Sequence, residues 1–101
     1  TKRSKMSRYA QFDEDGNQYQ IASNLGWSEF GTWVESLDAK KYPALIELWN
    51  AGSTEDIVGL TNQLESALQD SAPSANVESS ADLLLSGLQE NQDSGIVLVT
   101  N

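Results

Sequence analysis

Gly95-Ile96-Val97-Leu98-Val99-Thr100 decides what kind of fold this chain adopts. The run is rich in β-branched residues, which suit an extended backbone, and it is apolar on both faces of a strand. A fully buried aliphatic side chain is worth about 1.5–3 kcal/mol, so an exposed run would forfeit several such contributions and invite edge-to-edge aggregation. The expectation is therefore a strand covered on both sides.

Its partners must be other strand-like segments, and the chain offers two, Tyr9 to Phe12 and Gln18 to Ala22. They flank Asp13-Glu14-Asp15-Gly16-Asn17, whose Asp-Gly pair tolerates the positive φ angles of a hairpin loop. Between hairpin and C-terminal strand lie four helical patterns. Trp27, Phe30, Trp33, Val34 and Leu37 share an arc of about 120° at the helical 100° per residue, predicting an amphipathic helix over Trp27 to Asp38 that Gly31 weakens. Pro43 suits the first turn of a second helix, with Leu45, Ile46, Leu48 and Trp49 apolar and Gly52 a natural stop. Ser53 then caps a third helix, about Thr54 to Asp70, with Glu55 and Asp56 in its first turn and Ile57, Leu60, Leu64, Ala67 and Leu68 in one stripe. After a loop over Ser71 to Ser74, a fourth helix from about Val77 or Ser80 to Glu90 buries Ala81, Leu84, Leu85 and Leu88. Leu64 and Leu84 lie at the centres of their arcs and are expected in the core.

The fold class that follows is α+β: about four helices packed on a small sheet made by the N-terminal hairpin and the C-terminal strand. The alternative is nearly all-helical, with Ile96 to Val99 a tail or a strand donated to a second copy, which makes a homodimer one expected assembly. A chain of 101 residues supports one modest core, so residues 9–101 form a single globular domain and residues 1–8, with Lys2, Arg3, Lys5 and Arg8, a mobile basic arm. Met6, the only methionine, leaves two expectations: a native start there, after an appended remnant, or an ordinary residue in a longer reading frame.

Charge is segregated. The first 41 residues hold six basic and six acidic side chains, whereas Tyr42 to Asn101 hold nine carboxylates and no lysine, arginine or histidine, so the net charge of -9 belongs to the last 60 residues. A surface of one sign repels nucleic acid and anionic membranes and attracts basic surfaces, at rates that salt reduces. No apolar run approaches the roughly 18–20 residues that span a bilayer, the basic start is not followed by a signal-peptide core, and there is no cysteine. A cytoplasmic protein is expected.

Motifs that carry chemistry are weak. Asp13, Asp15 and Asn17 match the first three ligand positions of a calcium loop, but the glycine and glutamate such a loop requires are Gln18 and Asn24. Ser36 and Lys40 lie four apart without a glycine-rich oxyanion loop, and Glu55 with Asp56 at a helix start serve the helix dipole before they serve acid/base chemistry. Without histidine there is no imidazole base or ligand, and phosphate-cradling motifs are missing. No enzyme activity, metal or cofactor is expected.

The reading that remains is a small acidic, non-enzymatic module of inhibitor, immunity or accessory-subunit type that docks on a partner protein's basic surface. Its expected contact residues are Trp33, at the edge of its helix's apolar arc, with Glu47, Glu55, Asp56, Glu65 and Asp70. Aromatic anchors are enriched in interfaces, although a stripe such as Trp27, Phe30, Trp33, Tyr42 and Trp49 is in most proteins core. Three alternatives stand beside it: carboxylates mimicking nucleic-acid phosphates, a small carboxylate enzyme, and acidity that serves only solubility or a saline habitat.

Overall fold

A computed structural model describes residues 7–14 and 16–100. The elements run β1 (Ser7–Phe12), β2 (Gln18–Ser23), α1 (Asn24–Glu35), α2 (Pro43–Ala51), β3 (Ser53–Thr54), α3 (Ile57–Asp70), α4 (Ala75–Glu90) and β4 (Val97–Thr100). The strands form one antiparallel sheet in the order β2-β1-β4-β3. The C-terminal strand thus pairs with the N-terminal hairpin, and the fold is α+β. Ser7 and Arg8, read as the end of the arm, belong to β1; the rest of that arm lies outside the described residues.

One face of the sheet carries the core. Ala10, Phe12, Ile21 and Val97 point into it and meet Phe30, Val34, Leu45, Leu48, Leu60, Leu64, Leu84 and Leu88, all 1% exposed or less. Leu64 and Leu84 are fully buried, as their central positions predict. Ile21 and Ala22 are adjacent and both buried, contrary to strand alternation, because the β1–β2 register slips between Arg8 and Tyr9. A bulge sets two residues against one and brings both side chains inward.

The apolar run predicts cover on both faces of β4, but the fold covers only one. Val97 is buried and Val99 packs on the core, but Ile96, Leu98 and Thr100 are only half-buried. The described helices all pack on the core that Ala10, Phe12, Ile21 and Val97 enter, so among the described residues no helix covers those that alternate to the other face, Tyr9, Gln11 and Leu98. That face tolerates exposure because its other positions, Gln18, Gln20 and Ser53, are polar.

The helix ends follow local chemistry. Ser23 caps α1 by accepting from Gly26 N at 3.0 Å, and the helix ends after Glu35, where the Ser36 hydroxyl donates to Trp33 O at 2.6 Å. Leu37 lies beyond that end yet still packs on the core. Pro43 opens α2 and Gly52, at φ 79°, closes it in the left-handed conformation that suits glycine. Ser53 does not cap the next helix. It pairs with Leu98 as Thr54 pairs with Val97, which makes β3, and the cap passes to Asp56, whose Oδ1 accepts from Gly59 N at 2.9 Å. Helix α4 begins at Ala75, two residues before the earliest start read from periodicity, because Ser74 accepts from Val77 N.

Candidate functional site

Sheet order brings together segments that are far apart in sequence. Because β4 runs between β1 and β3, the residues just before it lie between the hairpin loop and the α2–β3–α3 connection. The Asp13 backbone N–H donates to Ile96 O at 2.9 Å, and Asp13 Oδ1 accepts from Gly95 N at 2.8 Å. Ile96 therefore sits at one end of the molecule with Asp13 and Glu14 to one side, in a shared recess. On its other side a recess of about 440 Å³ is lined by Glu47, Thr54, Glu55, Asp56 and Ile96. Five acidic residues from three segments thus line the two recesses that share half-buried Ile96.

Each carboxylate in this group has a defined environment. Glu47, on α2, accepts from the Thr54 hydroxyl at 2.6 Å, so the buried threonine of β3 holds it at the recess. Asp56 caps α3, and its own backbone N–H donates to Thr54 Oγ1 at 3.3 Å. Glu55 is exposed between them. The donors to carboxylates elsewhere are also neutral groups: Trp49 Nε1 to Glu35, Gln89 to Glu65, the Tyr42 hydroxyl to Asp70 and the Tyr19 hydroxyl to Glu90. Hydrogen bonds from neutral donors hold the carboxylates in place but leave their net charge intact.

Of the residues expected at a partner surface, Glu47, Glu55 and Asp56 come together, and the others do not join them. Asp70 lies at the end of α3 in a separate recess with Lys41 and Tyr42, and Glu65 is bonded to Gln89 of α4. The Tyr42–Asp70 hydrogen bond is 2.8 Å. It raises the Tyr42 phenol above its ordinary value, with burial and the charges of Asp70 and Asp38 acting in the same sense. Trp33 is half-buried, its indole Nε1 donating to Ser71 O at 2.8 Å, in a recess with Glu29, Thr32 and Val77. It therefore ties α1 to the end of α3.

Sequence reasoning did not assign Asp13, Glu14 or Ile96 to this surface. The available signal was the charge of the hairpin loop, but only the β1–β4–β3 pairing shows that it meets residues 47–56. Among the described residues no group of three or more acidic side chains is arranged to hold a metal ion, and no helix is long and apolar enough to cross a membrane. No protein-family model, curated protein or solved structure matches the chain.

Proposed function

We propose that this chain is a small, non-enzymatic protein-binding module whose acidic end docks on a basic surface of a partner protein. The observation that carries the reading is the convergence of Asp13, Glu14, Glu47, Glu55 and Asp56 on Ile96. Like charges gathered at one end repel one another and lower the stability of the compact state, whereas a basic partner would turn that repulsion into attraction and accelerate encounter. Ile96 gives the centre of the patch an apolar contact, and the surrounding carboxylates set orientation.

The test compares two triple variants as immobilised baits. E47Q/E55Q/D56N neutralises the acidic end while keeping the acceptor for Thr54 and, through asparagine, a competent helix cap. E78Q/D82N/E90Q removes equal charge from exposed positions of α4. The expected outcome is a basic protein retained by the wild type and by the α4 variant, released by salt, and lost with the acidic-end variant. Equal retention by all three, or equal loss in both variants, overturns the proposal and leaves acidity as a general property of the surface.

A further inference from the structure

We propose, independently of the acidic end, that the cleft between the start of β1 and the end of α2 binds a small aromatic carboxylate. This cleft, of about 390 Å³, is lined by Arg8, Trp27, Leu48, Trp49, Gly52 and Val99. Its volume is at the lower end of the range for small-molecule sites, about 300–1,000 Å³, which suits a ligand of one or two rings.

Arg8 is the reason for the charge. It lies on the helix-covered side of β1, opposite Ala22, and is half-buried. Its Nε donates to the amide oxygen of Asn24 at 3.0 Å, a neutral partner. Fourteen carboxylates stand among the described residues against three cations, yet none of them pairs with this guanidinium. A partly desolvated cation without a carboxylate partner among the described residues is unfavourable, and its terminal nitrogens form the planar fork that matches two carboxylate oxygens.

The walls are the reason for the ring. Trp27 is stacked on Phe30, with centroids 4.8 Å and planes 11° apart, and Trp49 leans on Trp27 at 5.6 Å. The Trp49 N–H is already bonded to Glu35 at 2.9 Å, so that indole offers the cleft an apolar surface held in place. Trp49, with the small part of Trp27 left exposed, gives one side of a cleft that also includes polar Asn50 a fixed aromatic surface, and a fixed surface lowers the ordering cost of binding a flat ligand. A monoanion also suits a molecule of net charge -9 better than a phosphate dianion, whose repulsion by the surrounding carboxylates would be doubled.

The experiment is a titration of the full chain followed through its indole N–H resonances, with 2-naphthoate as the probe and 2-naphthamide and inorganic phosphate as comparisons. Naphthoate should bind saturably and shift the Trp27 and Trp49 signals while leaving Trp33 in place. Naphthamide and phosphate should bind about tenfold more weakly or worse, the loss expected when a charge-assisted hydrogen bond is removed. R8Q should weaken naphthoate binding by a similar factor and R8K by less. Equal affinity for naphthamide or phosphate, shifts centred on Trp33, a folded R8Q variant that binds naphthoate as the wild type does, or no saturable binding would each overturn the proposal.

Discussion

Gly31 looks, in the sequence, like a flaw in the first helix; in the fold its missing side chain is what admits Trp49. A Cβ at residue 31 would stand inside the Trp49 ring, closer than real atoms approach. Alanine normally stabilises a helix interior by about 1 kcal/mol relative to glycine. Here G31A should instead destabilise by about 1–3 kcal/mol, the usual cost of overpacking, when measured by urea unfolding. In a W49L background the same change should become neutral or favourable, and a stabilising G31A in the wild-type background would refute the close approach. The Tyr42–Asp70 contact gives a second residue-scale outcome. The folded phenol is raised above its ordinary value near 10, so the stability it contributes is complete below that pH and is lost as pH rises through the folded value. D70N should bring the latest tyrosinate step, identified with Y42F, back toward the ordinary value. A step that D70N leaves unmoved would remove Asp70 as its cause.

At the scale of the element, β4 is the strand on which the fold class rests, and its two faces should respond differently. V97D places a carboxylate among Leu and Phe side chains at a position with no exposure and should abolish folding. L98D, one residue on, lies on the face without a helix and should change stability by no more than about 1 kcal/mol. Circular dichroism and thermal melting of the two variants check this, and similar damage from both would mean that the strand is covered on each side after all. Strand identity was legible because β-branched residues favour extended backbone wherever they sit. One-sided cover was not, since a run of Ile, Val, Leu and Val reads the same for either arrangement. The Ser53–Thr54 pairing was hidden for a related reason: serine ahead of two acids is a good helix cap locally, and only the ladder to Leu98 and Val97 makes it strand.

Over the whole molecule the dominant long-range term is self-repulsion among carboxylates whose bonded partners are neutral. Raising ionic strength from about 0.01 M to 0.15 M shortens the Debye length from roughly 30 Å to 8 Å, so sodium chloride should stabilise the native state. A gain of about 1 kcal/mol corresponds to roughly 4–8 °C in Tm for a domain of this size. A Tm that stays flat across this range would show that the charges are too dispersed to interact. Periodicity, capping residues and the charge count by themselves determined four helices, a terminal strand, a core centred on Leu64 and Leu84, and an acidic surface, because these depend on neighbours within a few residues. Tertiary structure alone decided that Asp13 and Glu14 line recesses beside Ile96 with Glu47, Glu55 and Asp56, that Glu65, Asp70 and Trp33 stand apart from them, and that Arg8 lines a cleft with two tryptophans. Those meetings depend on strand order, and strand order is fixed by the shared burial of Phe12, Ile21 and Val97 under the helices, a property of the assembled chain that no local run of residues contains.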